Sequence, residues 1–549
     1  MEVPKKMTEK QSIINENTEE KELPIGISSF PKIVEKNLIY VDKTEYVYRL
    51  LKRGGIYFLS RPRRFGKSLL ISILKEIFNG KKELFKGYWI YDRIQWQKYP
   101  VIHLDFLDID YRTLGLEKAL SNQLDRIAKQ YGLKSEGDSC KEKFGNLIRR
   151  LSTEKRVAVL IDEYDKPIID YLEKHKLEIA AENRDSLRNF YSVLKSQDNN
   201  IEFLFITGIS RFSKVSVFSE LNHLNDITFH PDYMKMLGFS REEIEAHFSS
   251  YIDRWIKKTG GTADRLLKRL QDEYNGYSWD GSNFVYNPHS IHKFFDELNF
   301  GNYWFETGTP GFLVKVAMEK DLNIEDWDNL QVRRSFFSQF DIENMNPGLL
   351  LFQSGYLTIK KFDGERYTLS YPNREVQSSF FHFLLEKYSD KSHGDVEKIL
   401  PGIKKALKDK DIDSFVEAIR VLFSGIPYNI SLSRYEAYYH SLIYIVLKMS
   451  GIDILPEKET NIGRIDAAVE TEKYIYIMEF KMGSADEAIK QVFEKKYYEP
   501  FRLKKKEIIL LGIGFSREER NIFGFKHLAF AAGEKISAAG GGDRIRTDE

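Results

Sequence analysis

The sequence predicts an α/β protein in three parts: a parallel-sheet domain, a mainly helical middle region and a smaller C-terminal α/β domain. Three observations carry this. Short β-branched runs alternate with amphipathic stretches from Leu23 to about Thr228, aromatic-rich helical patterns run from about Gly238 to Asp390, and helices followed by strands resume after Pro401.

Residues 1–22 are polar and free of aromatics and read as a disordered lead-in. In the first domain, 23–237, strands are expected at Gly55–Ser60, Val101–Phe106, Arg156–Asp162 and Glu202–Gly208. Helices are expected at Ser68–Phe78, Leu114–Tyr131 and Ala180–Ser196. The middle region, 238–400, has turn signals at Asn275-Gly276, Asp280-Gly281 and Asn287-Pro288. A hairpin pattern around Asp363-Gly364 makes Leu349–Leu369 a candidate winged-helix-like element. In 401–530, helices at Ile403–Leu407, Ile412–Leu422 and Arg434–Ser450 precede strands near Ile454–Glu457, Arg464–Glu470, Lys473–Lys481 and Glu507–Ile513. The tail, 531–549, turns Ala/Gly-rich and then charged, and is expected outside any core.

Composition bounds the function. The 549 residues suffice for about three or four domains, and 42% hydrophobic content excludes a chain disordered throughout. No apolar run reaches membrane-span length, so no membrane partner is expected. The charged N-terminus lacks a secretory pattern, and the single cysteine, Cys140, cannot form an internal disulfide; both lead to a cytoplasmic expectation. With 83 Lys+Arg against 82 Asp+Glu, the total charge neither supports nor excludes nucleic acid as a partner.

Two motifs carry chemistry in the first domain. Arg61-Pro62-Arg63-Arg64-Phe65-Gly66-Lys67-Ser68 ends a strand and opens a helix. Gly66 lets successive N–H groups face an anion, Lys67 reaches β- and γ-phosphates, and Ser68 can ligate Mg²⁺; Arg64 and Phe65 join them as nucleotide-binding candidates. Arg61 stands where the general motif has glycine, and a basic turn with a helix-capping serine would contain the same Gly-Lys-Ser. The apolar strand ending in Asp162 and Glu163 decides for a nucleotide, because ligands bind at the carboxyl ends of such strands. Asp162 is expected to hold the Mg²⁺ shell and Glu163 to polarise the attacking water. Thr207, Ser210 and Arg211 close a third strand, either as a γ-phosphate sensor or as a plain strand-end turn. Asp42 and Lys43 either touch the nucleotide or cap the next helix.

These residues resemble the bacterial AAA-ATPase-like family, through Leu23-Pro24-Ile25-Gly26, Tyr40-Val41-Asp42-Lys43-Thr44, the loop 61–68, Ile161-Asp162-Glu163-Tyr164-Asp165-Lys166-Pro167 and Thr207-Gly208-Ile209-Ser210-Arg211-Phe212-Ser213-Lys214. The resemblance covers about Leu23 to Asp226 and continues more weakly through Tyr274–Tyr277 and Val285–Pro288. Arg at the first loop position is typical of that family, and Asn222-His223 departs from it. The resemblance implies a P-loop NTPase domain using ATP and Mg²⁺. A homo-oligomer is compatible with it, Arg211 then being a candidate arginine finger.

Near the C-terminus, Asp466 precedes a turn and the strand Lys473–Lys481, in which Glu479 and Lys481 share a face with Ile475 and Ile477. If a hairpin brings Asp466 beside Glu479, two carboxylates and a lysine converge. The carboxylates suit Mg²⁺, and the lysine can stabilise charge developing at a phosphodiester. The arrangement resembles the PD-(D/E)XK nuclease fold, with Glu436 matching its helical acid and Gln491 its accessory glutamine; that implies catalytic roles for Asp466, Glu479 and Lys481. The basic run Arg502–Lys506 either meets a phosphate backbone or is a solvated surface. The combined expectation is a P-loop ATPase coupled to a Mg²⁺-dependent nuclease-like domain acting on nucleic acid. A nucleotide-switched binding or signalling module with an inactive nuclease fold, and an ATP-driven protein remodeller, stay open as alternatives.

Overall fold

Four apolar runs pair side by side as the first domain's core. In the computed structural model, which describes residues 21–211, 217–218, 221, 223–305, 324–338, 346–389, 391–425, 435–455, 459–460, 463–516, 518–534 and 544–546, β1 (Gly55–Ser60), β2 (Val101–Asp105), β3 (Val157–Asp162) and β4 (Ile201–Gly208) join β5 (Asn225–Asp226) in a parallel sheet of order β2-β3-β4-β1-β5. Every residue of β3 is buried, as its unbroken Val/Ala/Leu/Ile run requires of a central strand. The helix Lys67–Phe78 packs across β2, β3 and β4. Expected helices appear at Leu116–Gln130 and Leu177–Ser196, and sequence reading missed one at Cys140–Leu151, although Ser139 caps it by accepting from Glu142 N–H.

The middle region contributes a second core, around Phe239, Phe248, Tyr251, Leu270, Tyr274 and Phe295. The expected hairpin is present: β7 (Thr358–Phe362) pairs with β8 (Arg366–Ser370), which also pairs with β6 (Leu330–Arg333). The helix Pro347–Ser354 precedes it and ends at Gly355, whose positive φ and closeness to Pro62, where a Cβ would stand 2.7 Å away, both call for glycine.

At the C-terminal end, β9 (Asp453–Leu455), β12 (Ala467–Glu470), β13 (Tyr474–Met482), β14 (Glu507–Ser516), β15 (Asn521–Phe530) and β16 (Arg544–Arg546) form a mixed sheet of order β16-β15-β14-β13-β12-β9; a two-residue ladder, β10 (Glu459–Thr460) with β11 (Gly463–Arg464), precedes β12. β13 and β14 are parallel, linked by the helix Ala485–Glu494. β15 and β16 were not anticipated: Gly524 interrupts the first pattern, and the second lies in what composition assigned to the tail. Among the described residues, no helix is long and apolar enough to cross a membrane. Residues 1–20, 212–214, Asn222, Arg434, Asn461, Ile462, 535–543, 547–549 and the Glu436 side chain, on which sequence readings also fell, lie outside the described set.

Candidate functional sites

The loop after β1 returns on itself because Arg64 and Gly66 both take positive φ, 67° and 91°, the region open chiefly to glycine. That turn directs Lys67 back over the loop. Its ammonium, 3% exposed, donates to the carbonyls of Arg61 and Pro62, both at 3.1 Å, and lies 3.6 Å from Glu163 Oε1. Ser68 follows, half-buried, in the first turn of the helix. On β3, separated from β1 by β4, Asp162 is buried and accepts from Thr207 Oγ1 of β4 at 2.6 Å. Glu163 also takes a positive φ, 54°, a strained conformation that packed surroundings must hold. The structure thus brings together Lys67, Asp162, Glu163 and Thr207.

Three acids missed in the sequence's role assignments gather here or beside it. Asp105, in register with Asp162 across β2 and β3, is pushed up to about 6 by burial and its acidic neighbours. Asp165, fully buried, is likewise raised to about 6 by burial and Glu163 while accepting from the Ile209 and Ser210 amides and the Ser210 hydroxyl. The signal for Asp165 was a further carboxylate three residues beyond the strand end. The third, Asp226, pairs with Arg211 at 2.6 Å.

Phe65, Arg211, Arg61, Asp42 and Lys43 all have partners within the fold. Phe65 is buried edge-on against Tyr277 and Trp279, so only its backbone can face a phosphate. Arg64 is exposed. Arg211 is occupied by Asp226 and by the Phe337 carbonyl at 3.2 Å. Arg61 is wholly buried; it donates to the carbonyls of Ser60, Thr228 and Tyr233 and stacks 3.8 Å from the Trp279 ring. It acts as a strut behind the loop, and burial lowers it to about 9. Asp42 holds the start of the helix Thr44–Arg53 by accepting from Thr44 N–H and its hydroxyl, while Lys43 bridges to Glu243. Beside Gly66 opens an apolar cavity of about 80 Å³, lined by Pro24, Tyr40, Leu69, Leu70, Leu237 and His292 among others.

The C-terminal convergence forms as the hairpin geometry requires. Ala467 pairs with Met478, which sets Asp466 beside Glu479 and Phe480 of β13, and Asp466 accepts from Phe480 N–H at 2.7 Å. Glu479 is fully buried; one oxygen accepts from Gln491 and lies 3.8 Å from Lys481 Nζ, the other has no hydrogen-bond partner. Burial and the Asp466 charge, only partly offset by Lys481, push Glu479 up to about 8. His440, unforeseen, lies 3.6 Å from Asp466 and edge-on to Phe480; it sits one turn from Glu436 on the helix Tyr435–Met449, so an i, i+4 test of that helix would have found it. The donor set fits a hard dication: a buried unpartnered carboxylate oxygen and mutual acid repulsion are what such an ion relieves. Among the described residues there is no cluster of three or more metal-binding side chains. In the basic run, Lys504 and Lys506 both pair with Glu470, and Arg502 with Glu499.

Fold and sites define a P-loop α/β protein joined to a nuclease-type α/β domain. The sequence matches the predicted AAA-ATPase family over residues 24–218 and the PD-(D/E)XK nuclease superfamily over 434–524. It is 36% identical to an Azotobacter chroococcum mcd 1 protein described as an uncharacterized protein in the vnfD 5′ region, over 92% of this chain and 98% of that one. The chain belongs to this family of AAA-ATPase-like proteins with a C-terminal PD-(D/E)XK domain. Among solved structures, the Aeropyrum pernix ORC1 protein in complex with DNA aligns over 61% of this chain and 90% of that chain at 11% identity and a TM-score of 0.23, too distant to bear on function.

Proposed function

We propose that the protein binds and hydrolyses ATP at the first site and that this is coupled to a Mg²⁺-dependent nuclease-like site acting on nucleic acid. The carrying observation is the meeting of Lys67 with Glu163 beside Asp162 at the carboxyl edge of a parallel sheet. In this reading Lys67 and the loop amides hold the β- and γ-phosphates, Ser68 and Asp162 hold Mg²⁺, and Glu163 orients water. The apolar cavity beside Gly66 takes the base and sugar. Mg²⁺ supplies charge neutralisation at both sites. The three units divide near residues 237 and 400, the hairpin segment serving as a winged-helix-like element within the middle one.

At the second site Asp466 and Glu479 hold the metal and Lys481 stabilises developing charge, with Gln491 orienting Glu479. A second reading has a specific observation in its favour: Glu479 is wholly buried with one carboxyl oxygen unpartnered and the Asp466 charge nearby, surroundings that favour its protonated form and suit a nucleotide-switched module with a silent nuclease fold. One assay separates them. DNA and RNA are incubated with and without ATP and Mg²⁺; Mg²⁺-dependent cleavage that disappears in a folded Glu479→Ala variant supports the enzyme, and binding without cleavage supports the module. ATPase stimulation by polypeptide with indifference to nucleic acid overturns both.

A further inference from the structure

Arg211 joins the end of β4 to the middle region. Its Nε donates to Asp226 at 2.6 Å, its guanidinium lies 5.0 Å over Phe229, and it donates to the Phe337 carbonyl. Phe337 closes the segment 324–338, whose other end is bound to the helix Tyr435–Met449. There Asp328 accepts from Tyr444 Oη at 2.9 Å, Lys448 Nζ at 3.1 Å and Ser370 Oγ at 2.9 Å, and Ile324 N–H donates to Ser441 Oγ at 3.4 Å. Ser441, Tyr444 and Lys448, three and four residues apart, occupy one helix face. His440, next to it, reaches Asp466.

We propose that the segment 324–338 is a mechanical link between the two sites, with Asp328 a positioning residue that sets the helix holding His440 3.6 Å from Asp466, and Arg211 its anchor just past the end of β4. The link is short, and β6 at its centre is laddered to β8 from Leu330↔Leu369 to Arg333↔Arg366. A displacement at Phe337 therefore has little slack to absorb it, because packed elements shift between discrete arrangements and do not deform continuously. That nucleotide is what moves Arg211 rests on the function proposed above; the link itself does not.

Coupling along such a path needs direct evidence, and amide hydrogen exchange of the full chain, first without nucleotide, supplies it. Asp328→Asn is expected to speed exchange across 435–449 and 474–482 about tenfold, the scale of losing a charged hydrogen bond. Arg211→Ala is expected to do the same, though Arg211 is bonded to neither segment, and the double variant to show less than the summed effect, since the two act in series. Tyr444→Phe, which deletes one hydroxyl, gives a milder version and covers the case in which Asp328→Asn misfolds. Additive effects, or Arg211→Ala changes confined to 201–230 and 330–338, overturn the link. Calorimetry of ATP binding is read separately. Absence of binding strikes the nucleotide reading and leaves the exchange result standing, whereas binding that alters 435–449 equally in wild type and in Asp328→Asn overturns the relay.

Discussion

Lys67 Nζ and Glu163 Oε1 stand 3.6 Å apart, the lysine's remaining reach spent on two carbonyls of its own loop. A triphosphate would compete for that ammonium with groups that compensate it only in part. Lys67→Ala is expected to abolish ATP binding and turnover while leaving the circular dichroism spectrum unchanged; wild-type turnover would refute the loop assignment. Glu163→Gln should keep ATP binding and slow hydrolysis by about 10²–10⁴, the usual value of a positioned general base, as measured by phosphate release under single-turnover conditions.

Arg61 occupies the first loop position without facing the phosphate side, and three backbone carbonyls and the Trp279 ring depend on it. Its loss removes a charged donor from each carbonyl, although that of Tyr233 still accepts from Met236 N–H at 3.2 Å. Arg61→Ala is expected to lower stability by roughly 2–4 kcal/mol, the sum of broken charged hydrogen bonds and a cation–π contact, seen as a lower midpoint in denaturant. A variant with unchanged midpoint and lost ATP affinity would assign Arg61 to the nucleotide instead.

The cavity beside Gly66 is apolar, so it discriminates by shape and exclusion of water and offers little to a phosphate. Leu69→Trp, which fills it, should weaken ATP binding about tenfold or more, the scale of about 1.4 kcal/mol, and leave the affinity for inorganic tripolyphosphate unchanged. Equal losses for both ligands in calorimetry would place the base elsewhere.

How far the sequence disclosed all this depends on whether the determinants were local. β1 to β4 and the helix Lys67–Phe78 were legible because an unbroken apolar run or a 3.6-residue period is written in consecutive residues. The pairing of Asp466 with Glu479 was legible too, since a short turn fixes the register of its hairpin. The surroundings of Arg61, Phe65 and Arg211 were not legible because what packs on them, Trp279, Tyr277 and Phe337, lies about 126 to 218 residues away. An i, i+4 reading places His440 on the same helix face as Glu436, but its contact with Asp466 follows only from the docking of that helix on β13.

Asp466 accepts from the Phe480 amide at 2.7 Å and lies 3.6 Å from His440. Asp466→Asn removes one of two anionic ligands and keeps an acceptor for the amide. Metal affinity at this site, titrated with Mn²⁺ as probe in a Lys67→Ala background that silences the first site, should fall about 10–100-fold. ATPase rates of the otherwise native chain should not change. Unchanged Mn²⁺ affinity would remove Asp466 from the metal site.

Glu479 sets stability against function. Its carboxyl is raised to about 8 in the fold, far above the ordinary value near 4.5, so between those limits the folded chain holds a proton that the unfolded chain has released. Stability contributed by the protonated group is therefore full below about pH 4.5 and is lost as pH rises through 8. Glu479→Gln keeps the shape and removes the ionisation. At pH 8.5 it should unfold later than wild type by about 1–3 kcal/mol, the cost of a buried, partly unpartnered polar group, and the difference should vanish near pH 5. Added Mg²⁺ should raise the wild-type midpoint at pH 8.5 and that of the Glu479→Gln variant by less, because the variant keeps only Asp466 of the two anionic ligands. Thermal melts at the two pH values, with and without Mg²⁺, measure all four quantities. A variant no more stable than wild type at pH 8.5 would mean that Gln491 and Lys481 already satisfy an ionised Glu479, and that the carboxylate is neutralised without a metal.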